Sequence, residues 1–176
     1  MIEIAMSSNV EQNANYLRDA VFAASDGLIT TFAVVAGSEG ASLGNTVVLV
    51  LGFANLFADG ISMAAGNYLG TKSEVEYEQA QGKRINHSSP RSQAFITFVA
   101  FNIAGLFPLV PYVVGMRNSF TASIVIVALI MFAVGAVRSK FTQKNMIRSG
   151  LEVFMVGGVA AIVAYITGEV LDRYVV

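Results

Sequence analysis

The stretch TVVLVLGFANLFADGISMAAGNYLG, residues 46–70, is almost entirely apolar, and Asp59 is its one charged residue. A second apolar stretch, AVFAASDGLITTFAVVAG at residues 20–37, also has one charged residue, Asp26. A helix of about 20 residues crosses a hydrocarbon core about 30 Å thick. A charged aspartate in the middle of such a helix costs roughly 2.5–3.5 kcal/mol. Both stretches therefore predict membrane helices whose carboxylates are kept for binding a cation.

Charge-free segments recur along the rest of the chain, at residues 27–38, 40–58, 92–116, 118–137 and 153–168. With 55% hydrophobic and 13% charged residues and a mean hydropathy of +0.62, the composition is not that of a water-exposed fold. We predict an all-α membrane protein with a single transmembrane domain over residues 1–176. Its five helices are expected near residues 19–38, 45–70, 92–114, 118–137 and 150–170, with a cytoplasmic loop at 71–91.

Helix-breaking residues refine these boundaries. The sequence TKSEVEYEQA at residues 71–80 predicts a helical extension of the second span into the cytoplasm, ended by Gly82 and the SSP that follows. Pro108 and Pro111 are expected to kink or end the third span. The second and fifth spans are rich in glycine and alanine, which allows close helix packing, either within one chain or between two subunits.

Lysine and arginine indicate the orientation of the helices. If the N-terminus is cytoplasmic, all 11 of these residues except Arg117 and Arg173 lie on the cytoplasmic side. The residues before the first span are polar and acidic, unlike a cleavable signal peptide. We expect an integral protein of a prokaryotic cell membrane, with the N-terminus in the cytoplasm and the C-terminus outside.

Two features of the composition exclude whole classes of function. The chain has no cysteine, which rules out disulfides, thiolate metal sites, cysteine nucleophiles and iron–sulfur clusters. A net charge of -1 gives no electrostatic footprint for nucleic acid. Metal binding must therefore use oxygen, thioether or the single His87.

Polar side chains in the first two spans recur at helical spacing. Asn55, Asp59, Met63 and Asn67 occur at every fourth residue of the second span, so they form a stripe on one side of the helix. In the first span, Asp19 and Asp26 lie about 10 Å apart along one face, and Thr30 continues it. If the stripes face each other, carboxylates, amides and a thioether form a ladder across the membrane.

The ligand types suggest the cargo. Oxygen ligands alone suit magnesium, calcium or manganese, whereas the Met63 thioether favours a transition metal. We predict divalent iron or manganese as the transported ion and no tightly bound cofactor. Two facing aspartates repel each other when the site is empty, so proton uptake would compete with metal binding.

Each candidate residue also has a structural explanation. Asp26 could cap a helix, Asp59 could be hydrogen-bonded for packing, Met63 could fill the core, and the two asparagines could bond between helices.

Further candidates lie near the cytoplasmic surface. Glu152 begins the fifth span, where a carboxylate also stabilises the helix dipole. Glu74, Glu76 and Glu78 could collect metal or form a solvated face, and His87 is a weaker candidate ligand.

Three motifs resemble the vacuolar iron transporter family: LRDAVFAASDGLITTFAVVAG, GFANLFADGISMAAGNYLGTKSE, and RSGLE followed by GGVAAIVAY. The resemblance implies a five-helix homodimer with a cation path at the subunit interface, exporting divalent iron or manganese from the cytoplasm in exchange for protons. It implies translocation roles for Asp19, Asp26 and Met63, with Asn55 at a position where plant members have glutamate.

The sequence departs from the family pattern at two places. Plant and yeast members insert a long metal-binding domain between the second and third spans, whereas this chain has about twenty residues there, and Glu74, Glu76 and Glu78 are its possible remnant. Asn67 stands where many relatives read GEY. Asp59, one turn from Asn55, is expected to compensate for the missing carboxylate.

The leading hypothesis is a homodimeric divalent-metal transporter, not an enzyme, whose partners are metal ions, the lipid bilayer and a second copy of the chain, and not nucleic acid. Two alternatives remain open. The chain could be a membrane metal sensor or scaffold without transport. It could also be an intramembrane aspartyl protease, although SDG and ADG do not match the GxGD type of motif and five spans are few for that fold.

Overall fold

The computed structural model describes residues 2–82, 89–143 and 145–174, and these are organised entirely as helices and their connections. The elements are α1 (Ile2–Gly40), α2 (Asn45–Ala80), α3 (Pro90–Leu106), a 3-10 turn (Phe107–Leu109), α4 (Val110–Val113), α5 (Ser119–Thr142) and α6 (Met146–Tyr174). Five segments of this described part are long and apolar enough to cross a membrane: Gln12–Gly40, Asn45–Ala80, Pro90–Val113, Ser119–Ser139 and Met146–Tyr174. The predicted all-α membrane fold with five spans is confirmed.

The first two helices are longer than the apolar stretches that predicted them. α1 begins at Ile2, and α2 continues through the polar residues to Ala80. Residues 2–18 and 71–80 contain no glycine or proline, so no residue in them ends a helix. α2 stops two residues before Gly82, which has a φ of 72°. The predicted extension of the second helix, and its end near Gly82, are both confirmed.

The third span is broken near its C-terminal end. α3 gives way to the 3-10 turn and to the single turn of α4, and Pro108 and Pro111 lie at the starts of these two elements. Proline has no N–H to continue an α-helical ladder. The carbonyl groups of Pro108 and Pro111 accept hydrogen bonds from the hydroxyls of Ser123 (2.8 Å) and Ser119 (3.3 Å). The predicted break is confirmed, and α5 satisfies the carbonyl groups at the break.

Helix α1 lies at the centre of the bundle, in contact with α2, α3, α5 and α6. Its residues Leu28 and Val35 are fully buried, in a core shared with Val48, Val127 and Met131. Glycines bring its backbone against two neighbours. A Cβ atom at Gly27 would overlap the carbonyl oxygen of Phe101 in α3, and Cβ atoms at Gly40 and Gly168 would overlap carbonyl oxygens across the α1–α6 contact. Small residues thus allow the close helix approach that packing in a membrane requires.

The outer surface of the bundle is strongly apolar. Helix α6 exposes large aliphatic side chains along its length, among them Met155, Val159, Ile162, Ile166 and Val170. A continuous apolar surface of this kind on a protein in water would mark an interaction site. On helices that span a membrane it is the surface that faces lipid.

Candidate metal path

The polar stripes of α1 and α2 lie on neighbouring antiparallel helices joined by the short connection at residues 41–44. The side chains of Asp26 and Asp59 are close enough across this helix pair for their negative charges to repel each other. Both residues are half-buried. One chain therefore brings the two intramembrane carboxylates together without help from a second subunit.

Each of these aspartates is followed by a glycine, and both glycines pack against Phe101 of α3. A Cβ atom at Gly27 would overlap the backbone of Phe101. One at Gly60 would overlap the side-chain amide nitrogen of Asn102 and lie 3.4 Å from the Phe101 ring. Phe101 is itself fully buried. The two Asp-Gly pairs thus hold α1 and α2 against α3 and place both carboxylates at about the same depth.

Met63 lies one turn from Asp59 on α2. It is half-buried and packs against the cluster formed by Ala23, Leu56 and Phe101. Ala23 precedes Asp26 by about one turn of α1, so the antiparallel register that pairs the aspartates also places Met63 near Ala23. The thioether belongs to the same part of the bundle as the two carboxylates.

Asp19 is the most buried of the predicted acidic residues, with 4% of its surface exposed. Its Oδ1 accepts hydrogen bonds from the Arg18 guanidinium, with Nη2 at 3.0 Å and Nε at 3.1 Å. Its Oδ2 is buried and has no hydrogen-bond partner among the described residues. Asp19 therefore has one oxygen neutralised by its neighbour and one free to bind a ligand.

The two asparagines of the α2 stripe have different surroundings. The side-chain nitrogen of Asn55 is buried and has no acceptor within the described residues. The side-chain nitrogen of Asn67 donates to the Thr97 hydroxyl at 3.0 Å, and its oxygen accepts from Thr71 at 3.4 Å. The Thr71 hydroxyl also hydrogen-bonds Gln93. Asn67 thus has the structural role that was the alternative to metal binding, because it ties α2 to α3.

The glutamates beyond the membrane end of α2 lie apart from the aspartate pair. Glu74 and Glu76 are exposed, and Glu78 is half-buried. Glu76 forms an i,i+4 ion pair with Lys72 at 3.7 Å. Within the described residues, no three acidic or histidine side chains come close enough to hold one metal ion. The candidate ligand His87 lies outside the described residues.

Glu152 lies on α6, away from the helix end where it was expected. α6 begins at Met146, and the Asn145 side chain caps it by accepting hydrogen bonds from the backbone N–H groups of Ile147 (2.9 Å) and Arg148 (3.3 Å). Glu152 forms an exposed ion pair with Arg138 of α5 at 3.5 Å. The structure thus places Glu152 on the α5–α6 side of the bundle, and its metal role stays a prediction.

Sequence reasoning missed Asn102. This residue is the one polar side chain in FVAFNIAGL, residues 98–106. Its Nδ2 donates to the Phe98 carbonyl at 2.8 Å, whereas its Oδ1 is buried and without a partner among the described residues. A single amide inside an apolar span was the available signal, but only the packing against Gly60 connects it to Asp59.

One side of α2 has no neighbour within residues 2–82, 89–143 and 145–174, the described part of the chain. Its small residues at every fourth position are all exposed: Ala54, Ala58, Ser62, Gly66 and Gly70. A Cβ atom at Gly66 or Gly70 would have no atom within 4 Å. We call this surface the outer face of α2. It borders the stripe that contains Asp59 and Met63, so a partner on this face would enclose the stripe.

The donor set suits a divalent cation. Two carboxylates neutralise a 2+ charge, and a thioether with amide oxygens adds neutral ligands. The described part of one chain offers no third acidic ligand at the aspartate pair. A complete coordination sphere therefore needs neutral ligands, water, or groups from a second subunit.

The chain is similar to known proteins over most of its length. The model of the VIT family matches residues 17–88 and 81–169. Vacuolar iron transporter 1 of Arabidopsis thaliana is 25% identical, over 89% of this chain and 86% of the relative. Vacuolar iron transporter of Toxoplasma gondii is 24% identical, over 96% of this chain and 78% of the relative. Vacuolar iron transporter homolog 2 of Oryza sativa subsp. japonica is 30% identical, over 86% of this chain and 88% of the relative.

Proposed function

Because the chain belongs to the VIT family, we propose that it transports divalent iron across a membrane, with divalent manganese as a second cargo. The relatives named above are described as transporters or transporter homologues, in agreement with the expectation that the chain is not an enzyme. The observation that carries the proposal is that Asp26 and Asp59 lie on neighbouring membrane-spanning helices, close enough for their negative charges to repel each other. Two such carboxylates cost roughly 5–7 kcal/mol on insertion scales, and a bound divalent cation offsets this cost.

The proposed path follows the facing stripes of α1 and α2. Asp19, with its free Oδ2, lies toward the N-terminal end of the membrane part of α1. Asp26, Asp59 and Met63 form the central site, and Asn55 lies one turn beyond it. Glu74 and Glu78, on the extension of α2, are the proposed first contacts for metal arriving from the cytoplasm.

Proton exchange is the second element of the proposal. In an empty site the two aspartates repel each other, and protonation relieves this repulsion. A metal ion and protons therefore compete for the same oxygens. A proton gradient directed into the cytoplasm would then drive metal export.

A homodimer is the third element, and it rests on the outer face of α2. Membrane helices associate through small residues that allow their backbones to approach closely. Ala58, Ser62 and Gly66 provide such a surface beside the aspartate stripe. A second copy packed there would exclude lipid from the path and add its own polar groups.

Transport by purified protein in liposomes tests the function. The wild-type chain is expected to move iron and manganese under a pH gradient, with an opposite change in the pH inside the vesicles. Asp26→Asn and Asp59→Asn should each reduce the flux at least tenfold. Glu169→Gln is the matched control, because it removes an exposed carboxylate that is paired with Arg173 on α6.

The possible outcomes separate the parts of the proposal. No flux of either metal would disprove transport, and metal binding without flux would indicate a sensor or scaffold. Normal flux in both aspartate variants would disprove the site. Flux of metal without any proton movement would disprove exchange.

The orientation can be tested separately, because the chain has no cysteine of its own. Gln81→Cys and Asn118→Cys place single thiols at opposite ends of the bundle. With a cytoplasmic N-terminus, an impermeant reagent added outside intact cells should label Asn118→Cys and not Gln81→Cys. The opposite labelling pattern would reverse the proposed orientation.

A further inference from the structure

An apolar groove runs along the bundle between α1, α5 and α6, with a volume of about 420 Å³. Along α5 it extends from Phe120 to Met131, a distance of about 16 Å at 1.5 Å per residue. Ile162 and Ile166 of α6 border the groove and are exposed, so it opens on the lipid-facing surface. One leaflet of a membrane has a hydrocarbon depth of about 15 Å. The groove therefore has the length of one leaflet.

A second, polar cavity of about 230 Å³ lies at the Phe120 end of the groove. Phe120 lines both cavities, and its ring stacks on those of Phe32 and Tyr165, with ring centroids 6.4 and 6.0 Å away. The other residues that line the polar cavity are Glu39, Asn45, Arg117, Asn118, Ser119 and Thr121. A polar site therefore continues into the apolar groove at one end of the bundle.

Two opposite charges line this polar cavity without pairing with each other. Arg117, in the connection between the third and fourth spans, is exposed and has no ion pair among the described residues. Glu39, at the end of α1, is half-buried and accepts a weak hydrogen bond of 3.5 Å from the Tyr112 hydroxyl. A guanidinium binds phosphate through paired N–H donors, and a carboxylate accepts hydrogen bonds from an ammonium group. The polar cavity thus suits a ligand that carries both charges.

We propose that the groove and the polar cavity together bind one glycerophospholipid whose headgroup contains a phosphate and an ammonium group, as in phosphatidylethanolamine. The phosphate binds Arg117, the ammonium group binds Glu39, and one acyl chain lies in the groove along α5. Basic pockets between membrane helices bind lipid headgroups in this way. A second copy of the chain in the groove would leave the opposite charges of the polar cavity unexplained. This inference does not depend on the proposed transport.

Native mass spectrometry of the purified full-length protein tests the headgroup site. The protein is incubated with equal amounts of phosphatidylethanolamine and phosphatidylglycerol, and the lipid retained per chain in detergent is counted. The wild type should retain one phosphatidylethanolamine, with at least a fivefold preference over phosphatidylglycerol, which has the phosphate but no ammonium group. Arg117→Gln should lower retention at least fivefold. Glu39→Gln should remove the preference between the two lipids.

A substitution inside the groove tests the acyl-chain site. Gly158 lines the groove, and a Cβ atom there would have no atom of the described residues within 4 Å. Gly158→Phe therefore has room to fill the groove, and it should lower lipid retention at least fivefold. Two matched controls should retain lipid within about twofold of the wild type. Val159→Phe adds an aromatic ring at an exposed position beside the groove, and Arg173→Gln removes an exposed cation that is paired with Glu169.

Several outcomes would overturn the proposal. Normal retention in Gly158→Phe would disprove the acyl chain in the groove, and equal retention of the two lipids by the wild type would disprove the headgroup assignment. If Gly158→Phe converts a dimer into monomers and leaves lipid retention unchanged, the groove is a contact between subunits. If Glu39→Gln does not fold, Arg117→Gln decides, because it changes an exposed side chain without an ion pair among the described residues. Normal retention in that variant would contradict the site.

Discussion

The two sides of helix α2 carry similar small residues in opposite surroundings. On the inner face, Gly52 and Gly60 lie against Leu109 and Asn102, and a Cβ atom at either glycine would overlap them. On the outer face, a Cβ atom at Gly66 or Gly70 would have no atom of the described residues within 4 Å. The sequence alone does not distinguish these glycines, since all four interrupt apolar residues.

The difference between the faces separates two uses of a small residue. The inner glycines are needed for the fold of a single chain, because they let α3 and the 3-10 turn approach α2. The outer residues pack against no other helix among the described residues, so we expect them to face lipid or another molecule. Asp59 and Met63 lie at the boundary between the faces, where both kinds of contact meet.

The largest expected effect is on stability, from a leucine placed on the inner face. Gly60→Leu should destabilise the chain by about 3 kcal/mol through overpacking against Asn102 and Phe101, offset by at most about 1 kcal/mol of helix propensity. Gly66→Leu is its counterpart on the outer face and should leave the thermal unfolding of the monomer in detergent almost unchanged. Equal destabilisation by the two substitutions would remove the distinction between the faces.

The next effect concerns association through the outer face. Ser62→Cys introduces the chain's single thiol and should form a disulfide-linked dimer in membranes treated with a mild oxidant. Val163→Cys, on an exposed part of α6, should remain monomeric under the same conditions. Adding Gly66→Leu to Ser62→Cys should abolish the crosslink and reduce metal flux with it. A crosslink through Val163 and none through Ser62 would assign the interface to α6.

A smaller effect is expected from loss of the hydrogen bonds made by the Asn67 side chain. Asn67→Leu removes the interhelical hydrogen bond to Thr97 and the bond to Thr71 within α2. Interhelical bonds contribute about 0.6 kcal/mol on average and up to about 1.7. We expect a modest drop in unfolding temperature and a metal flux within about twofold of the wild type. A tenfold loss of flux without a change in stability would instead make Asn67 part of the path.

The smallest effect is expected at Glu152, which lies on the α5–α6 side of the bundle, away from both faces of α2. Its ion pair with Arg138 is exposed, and such pairs contribute about 0–1 kcal/mol. Glu152→Gln should change the free energy of unfolding by less than about 0.5 kcal/mol, and iron flux should stay close to wild type. A large flux defect at normal stability would support the metal role predicted for Glu152 from sequence.

Much of this arrangement follows from the sequence, because a membrane imposes simple rules. Apolar length predicted the five spans, and the four-residue spacing of Asn55, Asp59 and Met63 predicted the stripe that meets Asp26. The α2 extension was predicted from the polar residues after Gly70, whereas the matching extension of α1 to Ile2 was not, because a polar N-terminus gives no burial signal.

The contributions of α3 could not be predicted, because they depend on tertiary contacts. Nothing in FVAFNIAGL shows that Asn102 meets Gly60. The residue spacing in α2 likewise does not show that Asn67 bonds Thr97 instead of facing the path. Helix periodicity gives the face of a residue within one helix and leaves open which neighbour that face meets. The same limit applies to Glu152, whose partner Arg138 lies on another helix.

The close approach of α1 to its neighbours has a mechanical consequence. At Gly27 and Gly40 its backbone rests on the backbones of α3 and α6, and such contacts leave no side chain that could rearrange to allow sliding. At Gly52 and Gly60, helix α2 instead meets the side chains of Leu109 in the 3-10 turn and Asn102 in α3, which can change rotamer. We therefore expect α1 to keep its position during a transport cycle. In that cycle α2 is the moving part, and it carries Asp59 toward and away from a stationary Asp26.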